Sequence, residues 1–105
     1  MKEITVLELQ ALRASGEPFQ LIDVREEHEY DAANIGGTLM PMGTVLDQVD
    51  QISREVPVVI HCRSGSRSAA VIRELEVRHG FTNLSNLKGG IMAWSREIDP
   101  TLSIG

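Results

Sequence analysis

The segment His61-Cys62-Arg63-Ser64-Gly65-Ser66-Arg67-Ser68 places the chain's one thiol beside two arginines, a glycine and three serines. Gly65 and the serines let the backbone curl tightly, so that successive N–H groups point inward and form an anion-binding nest. A helix that begins directly after such a loop adds the equivalent of about half a positive charge at its N-terminus. Arg63 and Arg67 add two cations. Each of these features favours negative charge at the loop centre, over which the sulfur of Cys62 should sit. A free cysteine has a pKa near 8.5, and surroundings of this kind lower it to roughly 3.5–7.5. Cys62 is therefore expected to be largely thiolate at neutral pH, a nucleophile that needs no separate base. A lone cysteine is most often a small buried hydrophobe, but that role does not explain two arginines and a glycine in the five residues that follow it.

Other polar residues are weaker candidates. His61 precedes Cys62 on a strand, so its side chain should point to the opposite face, as a packed histidine and not as a base. His28 and His79 read as surface residues, and Trp94 as core. The three histidines and Cys62 have no metal-ligand spacing, so no metal site is expected. Asp23 and Arg25 end an earlier strand on the same edge. They either brace the active loop by hydrogen bonds or form an ordinary surface ion pair. Gly89-Gly90 reads as a turn that lets the last helix approach the loop closely.

Elements that can hold this loop are legible along the chain. Thr5-Val6-Leu7-Glu8 has the form of a capping box, and Val6, Leu9 and Leu12 continue at helical spacing to Gly16. Phe19 to Val24 reads as a buried strand, and the acidic stretch Glu26 to Asp31 as one or two exposed helical turns. Asn34 to Gly37 is a turn, and Thr38-Leu39-Met40 a weak strand. Val45, Val49 and Ile52 form the stripe of an amphipathic helix. Val58-Val59-Ile60-His61 is the strongest strand, followed by a helix over Ser68 to His79 that Gly80 closes. Asn83 to Leu87 suits a last strand, and Ile91, Trp94 and Ile98 a final helix before Pro100. Strands alternating with helices imply βαβ units and a mostly parallel sheet covered on both faces. Ligands in such sheets bind beyond the carboxyl ends of the strands, where Cys62 lies.

The chain has 105 residues, 42% hydrophobic, which fits one domain spanning 1–105 and buries about two-thirds of its unfolded surface. Its formal charge is −5, which argues against general binding to nucleic acid or a membrane surface. The excess acid is local: residues 1–34 carry eight acids and three bases, the rest seven of each. One cysteine allows no intramolecular disulfide. No apolar stretch has signal-peptide or membrane-spanning length, so the expected compartment is a reducing cytoplasm.

Three ordered segments carry a resemblance. Leu21-Ile22-Asp23-Val24-Arg25-Glu26 followed by Glu29-Tyr30, the loop Cys62 to Ser68, and Leu87-Lys88-Gly89-Gly90-Ile91 with Trp94 together resemble single-domain rhodanese-like sulfurtransferases over nearly the whole length. The resemblance implies an α/β three-layer sandwich with a five-stranded, mostly parallel sheet. It implies Cys62 as the catalytic residue, Arg63, Ser64, Gly65, Ser66 and Arg67 as substrate-binding residues, and Asp23, Arg25 and Ser68 as supporting residues. Sulfane sulfur would pass from a small anionic donor such as thiosulfate to Cys62, and from the resulting persulfide to a thiol, cyanide or protein-cysteine acceptor, with no cofactor. So short a chain would supply an open site. The family's first signature usually carries histidine where Asn34 stands, a change that touches local turn structure. The segment Ile91 to Pro100 also resembles the rhodanese domain at the C-terminus of adenylyltransferases that activate sulfur-carrier proteins.

Loop length separates rival chemistries. Phosphatases and arsenate reductases of the same fold place five residues between cysteine and arginine, whereas four separate Cys62 from Arg67. The tighter ring favours a sulfur atom on Cys62 over a phosphoryl group. A partner-binding or sulfur-relay module with little free thiosulfate activity is the other alternative. A thiol redox protein is disfavoured by the lack of a resolving cysteine.

Overall fold

The computed structural model describes residues 1–104. Ten elements follow one another: β1 (Lys2–Ile4), α1 (Val6–Ser15), β2 (Gln20–Asp23), α2 (Glu27–Ala32), β3 (Thr38–Leu39), a 3₁₀ segment (Val45–Gln51), β4 (Val58–His61), α3 (Ser66–His79), β5 (Leu84–Leu87) and α4 (Gly90–Glu97). The sheet runs β1-β5-β4-β2-β3 and every pairing in it is parallel. β4 lies at its centre, with Ile60 opposite Ile22 on one side and Asn86 on the other. All four of its residues are buried, as its unbroken apolar run predicts.

Alternation along the strands splits the core into two layers. On one face Ile22, Val58, Ile60 and Leu84 pack with Val71, Ile72 and Leu75 of α3 and with Val45 and Ile52. On the other, Leu21, Val59 and Leu87 pack with Val6 and Leu9 of α1 and with Ile91 and Trp94 of α4. The result is a three-layer α/β sandwich. α1 starts with the reciprocal cap its sequence foretells: the Glu8 N–H donates to Thr5 Oγ at 3.1 Å and the Thr5 N–H donates to Glu8 Oε1 at 2.9 Å.

Two expectations need correction, and one strand was not foreseen. β1 has no counterpart in the sequence reading, because a three-residue, largely exposed edge strand has no periodicity to detect. The stripe Val45, Val49, Ile52 forms a 3₁₀ segment kinked at Gln48, not an α-helix. Two valines and two aspartates among its seven residues lower the α-helical propensity, and a 3₁₀ turn covers more length per residue. α3 begins at Ser66, two residues before its expected start at Ser68. Gly65 makes this possible, since its φ of 114° lies in the left-handed region that residues with a Cβ rarely adopt.

Candidate active site

β4 delivers Cys62 to the carboxyl edge of the sheet, and the turn through Gly65 wraps the backbone around its sulfur. The Gly65 N–H donates to Cys62 Sγ at 3.1 Å and the Ser68 N–H at 3.4 Å. Ser68 Oγ stands 3.3 Å from the same sulfur. Burial pushes the thiol up, but the Ser68 hydroxyl and the amides of Ser68, Gly65 and Ser64 outweigh it and hold the pKa below its ordinary value. Stabilisation of the charged form by donors is one of the three general causes of such shifts. Cys62 is only 1% exposed, in contrast to the open site expected of a short chain: the ring of amides closes tightly about the sulfur.

Two elements distant in sequence complete the loop. Asn86 of β5 accepts from Ser68 Oγ at 2.6 Å and donates through Nδ2 to the Gly65 carbonyl at 3.1 Å. The first amides of α4 cap the loop from the other side, Ile91 N–H on the Cys62 carbonyl at 3.0 Å and Met92 N–H on that of Arg63 at 3.1 Å. This contact requires glycine at position 90. With φ at +59°, a Cβ there would lie 2.5 Å from the Arg63 carbonyl oxygen. The turn expected at Gly89-Gly90 is thus a close approach of α4 to the active loop.

Arg67 lies in the first turn of α3 and turns to α2. Its Nη1 and Nη2 donate to Glu29 Oε1 and Oε2 at 2.7 and 2.9 Å. The Arg67 guanidinium holds the Glu29 carboxyl down at about 2, and Glu29 in turn raises the pKa of Arg67. Arg67, one of the cations expected around the thiol, is therefore paired with a carboxylate. Arg63 is exposed at the rim, as are Ser64 and Ser66.

Asp23 and Arg25 are neither a surface pair nor direct braces of the loop. They are buried, at 0% and 1% exposure, with Arg25 Nη2 and Nε donating to Asp23 at 2.8 to 3.1 Å. The remaining guanidinium donors reach the carbonyls of Glu29, at 3.3 Å, and Ala33, at 2.8 Å. This pair fixes α2, which carries Glu29 to Arg67. His61 points away from Cys62 into the opposite layer and is fully buried. Its Nε2 approaches Asp23 Oδ2 at 3.5 Å without completing a hydrogen bond. Burial lowers its pKa against the opposing pull of Asp23, which leaves the ring neutral at pH 7. Asn34 shapes the turn after α2, its Nδ2 donating to the Tyr30 carbonyl and its Oδ1 accepting from Gly36 N–H.

Glu29 and Asn86 are the site residues that sequence reasoning missed. An asparagine inside the short strand Leu84–Leu87 was the available signal for the second, since asparagine is depleted in strands. Among the described residues no cluster of three or more His, Cys, Asp or Glu could hold a metal, and no helix is long and apolar enough to cross a membrane.

Comparison with known proteins identifies the family of this fold. The family model described as a rhodanese-like domain matches residues 5–97. The putative sulfurtransferase YtwF of Bacillus subtilis is 34% identical, with 95% of this chain and 96% of that one covered. A sulfurtransferase of Allochromatium vinosum is also 34% identical, covering 91% and 90%. A rhodanese-like domain protein from Staphylococcus aureus superposes with a TM-score of 0.83 at 33% identity, covering 100% of this chain and 99% of that one. The chain matches the probable adenylyltransferase/sulfurtransferase MoeZ of Mycobacterium tuberculosis at 31% identity over 94% of its own length, but spans only 26% of that longer relative. On this sequence and structural agreement, the chain belongs to the rhodanese-like sulfurtransferase family.

Proposed function

We propose that this protein is a rhodanese-type sulfurtransferase that takes sulfane sulfur from an anionic donor such as thiosulfate and carries it on Cys62 as a persulfide. The observation that supports this best is the set of donors on Cys62 Sγ: two backbone amides within 3.4 Å and the Ser68 hydroxyl at 3.3 Å. Donors so placed stabilise a thiolate before reaction and a persulfide anion after it, without rearrangement.

In the first step the Cys62 thiolate attacks the outer sulfur of thiosulfate. A new S–S bond forms to Cys62, the S–S bond of the donor breaks, and its electron pair leaves with sulfite. In the second step an acceptor such as cyanide, a thiol or a protein cysteine attacks the outer sulfur of the persulfide. The Cys62 thiolate is released, so each cycle is a two-step covalent transfer. Arg63 at the rim and the amides of residues 64, 65 and 68 receive the anionic donor, while Ser66 and Arg67 begin the helix that aims its N-terminus at it. Asp23 and Arg25 support the site through α2.

A relay role, in which both donor and acceptor are proteins, is favoured by the likeness to one segment of an adenylyltransferase/sulfurtransferase. Phosphoryl transfer is disfavoured, because Arg67 stands one position short of a phosphate clamp and is committed to Glu29.

The test is intact mass spectrometry after incubation with thiosulfate. The wild-type protein gains one sulfur atom, cyanide removes it, and Cys62→Ser gains none. An adduct that survives Cys62→Ser, or the absence of any adduct with every sulfane donor tried, rejects the reading.

A further inference from the structure

The electrostatics of the loop do not match its sequence. Two arginines within the ring suggest a site built for a dianion, yet Arg67 is bound to a carboxylate. Glu29 meets Arg67 with both oxygens, at 2.7 and 2.9 Å, in the fork geometry that suits guanidinium and carboxylate best. Glu29 is itself held in place: its Oε1 also accepts from the Glu26 N–H at 3.0 Å, and its backbone carbonyl is anchored by the buried Arg25. Both side chains are largely shielded, at 33% and 21% exposure. A carboxylate fixed by three donors on a tethered helix does not swing aside as a solvated surface partner does. It neutralises the guanidinium of Arg67, whose charge interacts with that of Cys62, and adds the repulsion of its own charge to an anion approaching the sulfur.

We propose that Glu29 is a specificity-determining residue that biases the Cys62 site toward sulfane donors of low charge and against dianionic thiosulfate. The proposal rests on the reading of Cys62 as the persulfide carrier. Favoured donors are thiosulfonates and persulfides carrying at most one negative charge near the transferred sulfur. With a thiosulfonate, the Cys62 thiolate attacks the terminal sulfur, a Cys62 S–S bond forms, the sulfur–sulfur bond of the donor breaks, and a sulfinate leaves with the electron pair. Glu29 touches neither donor nor thiol in this scheme; it acts through Arg67.

The experiment compares two donors with the same reacting atoms and different charge, thiosulfate and methanethiosulfonate, in a cyanide-coupled assay of kcat/KM. In Glu29→Gln and Glu29→Ala, the ratio of kcat/KM for thiosulfate to that for methanethiosulfonate should rise by roughly threefold or more, as expected for one unit charge acting at short range near a protein surface. Adding Arg67→Ala to Glu29→Gln should abolish the gain. Glu27→Gln removes a neighbouring charge on α2 and should leave the ratio at its wild-type value. The proposal is overturned if the ratio is unchanged in both Glu29 variants, if both donors lose activity in parallel, or if Glu27→Gln gives the same gain. Failure of wild-type protein to accept sulfur from either donor would instead reject the persulfide reading itself.

Discussion

Ser68 contacts the sulfur of Cys62 twice, through its N–H at 3.4 Å and its Oγ at 3.3 Å, while the same hydroxyl lies 2.6 Å from Asn86 Oδ1. A hydroxyl has one proton, so the thiolate and the asparagine compete for it. When Cys62 is a thiol, its S–H can donate to Ser68 Oγ and Ser68 to Asn86. When Cys62 ionises, the hydroxyl gains a reason to turn to the sulfur. The ionisation of Cys62 is in this way coupled to a strand that the loop touches only in the folded chain.

Removing the hydroxyl should therefore weaken the thiolate. In Ser68→Ala the N–H contact remains and the Oγ contact is lost. The midpoint of the iodoacetamide alkylation profile should move to higher pH. Sulfur loading at pH 7 should fall about tenfold, the usual scale for one hydrogen bond to a charged group. An unchanged alkylation profile would count against a role for the hydroxyl in ionising Cys62.

The close approach of α4 should tolerate no side chain at position 90. In Gly90→Ala the new Cβ would meet the carbonyl oxygens of Arg63 and Cys62 at 2.5 and 2.6 Å, in a backbone conformation with positive φ. Rigid backbone on both sides makes the clash expensive, on the order of 2–3 kcal/mol. Thermal unfolding should show the Tm lowered by about 10 °C or more. Gly43→Ala, at a glycine with nothing within 4 Å of its Cβ direction, should change the Tm by only a degree or two. Equal effects at the two positions would remove the argument from close approach.

The Glu29–Arg67 pair should give the protein a specific acid sensitivity. The folded-state pKa of Glu29 is lowered from 4.5 to about 2 by the Arg67 guanidinium. A carboxyl lowered on folding stabilises the native state fully above its unfolded pKa. That stability is lost as pH falls through the interval from about 4.5 to about 2, because the unfolded chain binds the proton first. For a partly solvated pair the contribution is about 1 kcal/mol. Urea unfolding at pH 6 and pH 3 should show the wild-type protein losing that much more stability than Glu29→Gln across the interval. Identical losses in the two proteins would mean that the pair contributes nothing to folding.

The sequence by itself determined the class of fold and the position of Cys62 at the carboxyl edge of the sheet. An apolar β4, a loop of small residues and a helix in direct succession are local facts, and Gly65 with its φ of 114° lets the loop turn around Cys62. The same holds for His61, whose placement opposite Cys62 follows from strand alternation alone. Tertiary structure decided the rest. Glu29 reaches Arg67 across 38 residues of chain, and Asn86 reaches Ser68 across 18, because parallel strands demand crossovers that bring remote segments to one edge of the sheet. The burial of Asp23 and Arg25, the sealing of Cys62 and the need for glycine at position 90 have the same origin. Each depends on which surfaces the crossovers press together, and distances along the chain do not encode that.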